Sequence, residues 1–172
     1  MKKFVLAATT CAAALLVSNA AYAQSSATVT ANGSTTLIRP ITITKTADLA
    51  FGRIVKPGTG TGTVAVANSA DTVTAASGAV ALASTTSRAK FTIDGEGGQV
   101  ISVLVPASFN LSNGTDTIAV TLDPDLGTTT NLSGSMAAGG SAALNVGGNF
   151  NVPNAISTGV YSGSFSVTVA YQ

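Results

Sequence analysis

The last fourteen residues, Gly159 to Gln172, constrain the fold more than any other stretch. From Tyr161 the odd positions read Tyr161, Gly163, Phe165, Val167, Val169 and Tyr171, and the even positions read Ser162, Ser164, Ser166, Thr168 and Ala170. A period of two places one set on a buried face and the other in water, as in a β-strand. A helix would scatter the same residues around its circumference, because its period is 3.6. One continuous strand is therefore expected over residues 161–172. These residues contain no charge and no proline, so the devices that normally blunt an exposed strand edge are missing. The sequence ends one residue after Tyr171, so no later strand is expected beside it.

The rest of the chain agrees with an all-β fold. Charged residues make up 9% of the 172 positions, against about a quarter in ordinary globular domains. Ala, Thr, Ser, Val and Gly dominate, and a mixture of small, β-branched and turn-forming residues points to a sandwich or barrel. The length suits one domain. The net charge is +1 and no basic cluster is present, which argues against a nucleic-acid partner.

Residues 1–23 read as a signal peptide. Lys2 and Lys3 form a positive start, Phe4 to Val17 an apolar stretch, and Ala21-Tyr22-Ala23 a small-x-small cleavage site. Cleavage is expected before Gln24, with secretion through the periplasm to the cell surface and no membrane span afterwards. The apolar run is short and Ala-rich for an uncleaved anchor. The single cysteine, Cys11, falls within this segment. The mature chain would then hold no disulfide, despite an oxidising destination. It would carry six basic and seven acidic residues, a net charge of −1.

Residues 24–36 are polar, with Ala27, Val29 and Ala31 alternating with Ser and Thr, and with Asn32-Gly33 allowing a turn or a close approach. They read either as a loose terminus or as a strand that needs a surface from elsewhere. The body is expected over 37–172. Ile41 and Ile43 begin its first strand after Pro40, a bulge is expected near Lys45 to Asp48, and Gly52 marks a bend. Residues 89–93 and 99–105 read as a hairpin around Asp94-Gly-Glu-Gly-Gly98. Phe109 and Leu111 lead into the Asn113-Gly114 turn and a return strand at 117–122. Residues 142–146 and 150–152 read as two short strands around Gly147-Gly148.

Catalytic chemistry finds few residues to work with. There is no histidine, the usual general base and metal ligand near neutral pH. Asp94, Glu96, Asp116, Asp123 and Asp125 mostly sit beside Gly, Asn or Pro, where Asp serves as a turn former. Asp123 and Asp125, with Asp116, supply oxygen ligands of the kind calcium takes, but too few to assign a metal site. Gly58 to Gly62 lacks the Lys-Ser/Thr ending of a phosphate loop. No catalytic residue, cofactor or metal is assigned.

The closing stretch resembles the β-zipper of chaperone–usher pilus subunits, with Gly159 fourteenth from the end and Tyr171 penultimate. More widely, the chain resembles secreted bacterial proteins of the domain of unknown function 4402 family. Three stretches carry that likeness: Pro40 to Gly52, Ala89 to Gly95 and Gly159 to Val169. It is also similar to the spore coat protein U and fimbrial group. The pilus resemblance implies an immunoglobulin-like (Ig-like) β-sandwich whose last strand is supplied in trans. A periplasmic chaperone would lend a strand first, with an outer-membrane usher receiving the complex. The N-terminal extension of a neighbouring copy or related subunit would then replace the chaperone strand. By that resemblance Gly159, Tyr161, Phe165, Val167, Val169 and Tyr171 border the acceptor groove, and Ala27, Val29, Ala31 and Gly33 form the donor face. The donor face is small, and the disulfide of many pilins has no counterpart. The expected function is a non-enzymatic fimbrial or surface-fibre subunit with a role in adhesion. The alternatives are a closed sandwich binding carbohydrate or protein, and a hydrolase with a carboxylate pair.

Overall fold

The computed structural model describes residues 26–172. The expected signal peptide, its cleavage site and Cys11 lie outside the described residues. Contacts divide the chain after Thr35. Residues 26–35 form no strand, and their side chains are exposed. The second unit, Thr36–Gln172, is all β, with every strand pair antiparallel and no helix among the described residues.

Twelve strands build this unit: β1 (Thr42–Ala47), β2 (Arg53–Val55), β3 (Thr61–Val66), β4 (Val73–Ala76), β5 (Val80–Leu82), β6 (Ala89–Glu96), β7 (Val100–Leu104), β8 (Ser108–Ser112), β9 (Thr117–Pro124), β10 (Thr129–Asn131), β11 (Gly139–Pro153) and β12 (Thr168–Tyr171). The large sheet runs β1-β6-β11-β3-β4, with β9 on β11 and β8 on β9. A small sheet runs β10-β7-β12, and β2 pairs with β5. Alternation sets the two layers face to face. Ile93 of β6, Leu122 of β9, and Leu144 and Val146 of β11 pack with Ile101 and Val103 of β7 in one buried cluster. Val64, Val66, Val120, Phe150 and Val152 form a second. The architecture is that of a β-sandwich, in which alternate residues of two sheets share one core.

Several local expectations are met. The ladder between β1 and β6 shifts register between Lys45 and Ala47, where the bulge was expected. Gly52 has φ +71°, and a side chain there would meet Ser84 Oγ at 2.3 Å, so the bend needs glycine. β8 and β9 form the hairpin around Asn113-Gly114, with Gly114 at φ +91°.

Three expectations are corrected. The segments 89–93 and 99–105 are not a hairpin. β6 continues to Glu96 and pairs with β1 and β11, while β7 pairs with β10 and β12 in the opposite layer. The Gly97-Gly98 turn, with Gly98 at φ +71°, carries the chain across the core. Two alternating segments and a tight turn suit either pairing, and burying Ile93 and Ile101 against each other favours the crossing. The two short strands around Gly147-Gly148 are one fifteen-residue strand, β11. It is flanked by β6 at 139–146, by β9 at 146–150 and by β3 at 148–153. A Cβ at Gly147 would meet Val66 O at 2.5 Å, so glycine here marks a close approach rather than a break. The closing strand is also shorter than its alternation. Only Thr168–Tyr171 joins a ladder, with one further bridge between Ser162 and Ser112.

Candidate functional site

β12 is hydrogen-bonded on one side, to β7, and β7 carries β10 on its other side. Among the described residues the second edge of β12 has no partner strand. β1 likewise has β6 on one side only. The first and last strands thus each present an open edge to the same core. Ile41, Ile43, Phe165, Val167, Val169 and Tyr171 all pack against that core and all stay only partly buried. This row of partly buried side chains follows the two unpaired edges.

One end of this row is tied down. The Tyr171 hydroxyl donates to Arg39 O at 2.9 Å and accepts from Glu96 N at 2.7 Å. Gly95 makes room for it, since a Cβ there would lie 2.3 Å from the hydroxyl oxygen. Glu96 is the one buried charged side chain among the described residues. Its carboxylate accepts from Arg39 N at 3.2 Å and from Ala137 N, and lies 3.8 Å from Arg39 Nε. Glu96 is therefore not a turn former. It fixes the chain just before β1 to the loop before β11, and the glycines around it conceal that role in the sequence.

A groove of about 660 Å³ lies between the segment 49–56 and the segment 156–161. Its walls include Ile54, Ile156 and Tyr161, and Phe51, Phe150 and Val152 of the core reach it. Phe51 and Phe150 meet edge to face with centroids 4.8 Å apart. Lys56 sits at the rim and donates to Ile156 O at 2.7 Å. Asp116 accepts from Ser157 N at 2.8 Å and from the Ser157 hydroxyl, and Asn113 Nδ2 donates to Ser157 Oγ at 3.0 Å. The Ser157 hydroxyl and amide hold the Asp116 carboxyl below the usual carboxylate range. This network fixes the 156–161 wall, and it escaped the sequence reading because Ser157 lies in no periodic segment.

The residues singled out from sequence fall as follows. Gly159 has φ +155°, and a Cβ there would lie 3.3 Å from Asn113 Nδ2. Tyr161 turns its ring to the core and donates its hydroxyl to Ser157 O at 2.8 Å. Phe165 packs on Phe109 and Phe91, with centroids 5.1 and 6.4 Å apart. Gly163 permits the closest approach of all, since a Cβ would meet Asn110 O at 2.0 Å. The alternating face thus points inward along residues 161–171, although half of its backbone is unpaired. Ala27, Val29, Ala31 and Gly33 lie in the separate N-terminal unit and are exposed, Val29 at 92%.

The carboxylates are dispersed. Asp123 accepts from Asn68 Nδ2 at 3.2 Å, and Asp125 takes both nitrogens of Asn145, at 2.8 and 2.7 Å. No group of three His, Cys, Asp or Glu side chains is placed to hold a metal among the described residues.

A family model described as domain of unknown function (DUF4402) matches residues 41–171. The chain belongs to that family. No curated protein and no solved structure matches it.

Proposed function

We propose that this DUF4402 protein is a non-enzymatic subunit of a secreted surface fibre, joined to its neighbours by donor-strand complementation. The observation that carries the reading is the pair of free edges on β12 and β1, whose partly buried apolar side chains pack against one buried cluster. An added strand there would pair its backbone with an open edge and place alternate side chains on the core. Strand addition draws affinity from the ladder and specificity from alternate pockets. Before assembly the edge would be held by a periplasmic chaperone and delivered to an outer-membrane usher. In the fibre it would receive an N-terminal extension of the kind formed by Ala27, Val29, Ala31 and Gly33. Residues 163–167 support the reading further: they keep strand alternation and an inward face without a backbone partner.

The test is to delete residues 24–36 in the producing cell and measure extracellular fibres that contain this chain. Fibres should be lost, or the chain should survive only as a terminal cap. Fibres of undiminished length and content would contradict donor-strand exchange.

A further inference from the structure

Asn-Gly occurs twice in the chain, at Asn32-Gly33 and at Asn113-Gly114, and the two pairs sit in opposite surroundings. Asn113 is held at each atom that a reaction between the paired residues would use. Its Oδ1 accepts from Thr115 N at 2.9 Å and from Asp116 N at 2.7 Å, and its Nδ2 donates to Ser157 Oγ at 3.0 Å. Gly114 N donates to Ser112 Oγ at 3.1 Å. Asn32 and Gly33 are exposed and lie in no strand. Among the described residues no backbone hydrogen bond fixes residues 31–34, and nothing comes within 4 Å of the place that a Cβ on Gly33 would take. Glycine adds the conformational freedom that lets its nitrogen approach the preceding side chain.

We infer that Asn32 is a site of spontaneous deamidation, from which the fold protects Asn113. The deprotonated Gly33 N attacks Asn32 Cγ, a C–N bond forms, and the Cγ–Nδ2 bond breaks with loss of ammonia. Water then opens the cyclic imide at either carbonyl and leaves aspartate or isoaspartate at position 32. Nothing is oxidised or reduced, and one water is exchanged for one ammonia. At Asn113 the same ring closes only if the contacts to Thr115, Asp116 and Ser157 break together. Residues 24–36 have no charged side chain, so the product gives this segment its first. The isoaspartate form also adds a carbon to the backbone between Ala31 and Gly33, and the regular spacing of a strand is lost there. An extended strand turns Gly33 N away from Asn32 Cγ, so an extension seated in a ladder keeps its amide. The modification therefore accumulates on extensions left outside a ladder. That consequence rests on the proposed strand addition, whereas the site itself does not.

The experiment holds the chain purified from the producing cell in mildly alkaline buffer. Both sites are followed by peptide mass spectrometry, with electron-transfer fragmentation to tell isoaspartate from aspartate. Asn32 should convert at least tenfold faster than Asn113 in the folded chain. In denaturant the two rates should converge, because the protection of Asn113 comes from its contacts. Gly33→Ala should slow the reaction at position 32 at least tenfold. Equal rates in the folded chain, or a Gly33→Ala chain that reacts as fast as the native one, would overturn the site. A rate at Asn113 that stays slow in denaturant would overturn its protection by the fold. Fibres taken from the cell surface are held in the same buffer, and there Asn32 should react at least tenfold more slowly than in the isolated chain. Equal rates in fibre and isolated chain would leave the site standing and contradict the seating of the extension in a ladder.

Discussion

Single residues decide how closely the closing segment can sit on the body. Gly163 lies against Asn110 O, where a methyl group would be 2.0 Å from backbone oxygen. Backbone cannot yield as a flexible side chain can, so Gly163→Ala should lift the segment and cost about 1–3 kcal/mol, read as a lower denaturant midpoint. Tyr171 acts through its hydroxyl. Tyr171→Phe leaves Glu96 N and Arg39 O without that partner and should cost about 1–2 kcal/mol with little change in the ring's packing. Asp71 and Asp116 make the acid response. The Lys90 ammonium, then the Arg88 amide and charge, hold Asp71 below its ordinary range, and Ser157 does the same for Asp116. A carboxylate with a lowered folded pKa stabilises above the unfolded value, about 3.9, and loses that contribution as pH falls through the folded one. Stability should therefore be flat from neutrality to about pH 4 and decline below it. Asp116→Asn should flatten that decline, which acid titration of the unfolding midpoint would reveal. An unchanged acid slope would remove Asp116 from the explanation.

Elements were legible in the sequence where the signal is local. Alternation located β9 and the inward face of 161–171, and Asn113-Gly114 located the β8–β9 turn. Pairing was not legible. Ile93 and Ile101 look the same in sequence whether their strands pair side by side or face each other across a core, and the second arrangement is the one found. Glycine misled at one of two sites. Gly147-Gly148 suggested a break, yet it is a site of close packing inside β11, whereas Gly97-Gly98 is a true turn. The open edge could be anticipated from the absence of charge and proline, but the unpaired backbone of 163–167 could not, because side-chain pattern says nothing about which backbone groups find partners. A contrast between elements follows. Leu144, fully buried in β11, should cost about 2–5 kcal/mol when cut to Ala. Val167, only partly buried, should cost about 1 kcal/mol or less in the isolated chain. If the open edge receives a strand, Val167→Ala should weaken assembly far more than it weakens folding, whereas Leu144→Ala should act through folding. Fibre yield compared with the denaturant midpoint separates the two.

At the scale of the molecule, two antiparallel layers pack face to face, and among the described residues the first and last strands each keep an unpaired edge. Tyr171 ties the last strand to Arg39 and Glu96, and a groove lies beside Ile54, Ile156 and Tyr161. The sandwich was legible from composition and period. That a strand is supplied in trans was implied by resemblance alone and belongs to the proposed function. A domain stabilised without a cysteine among its described residues relies on burial and ladder alone, so covering a row of half-buried side chains would stabilise it as well as join it to a neighbour. Backbone hydrogen exchange at residues 163–167, compared between the isolated chain and fibres taken from the cell surface, tests this most directly. Fast exchange in the isolated chain and protection of at least a hundredfold in the fibre are expected. Equal exchange in both states, or amides already protected in the isolated chain, would contradict an edge that awaits another chain's strand.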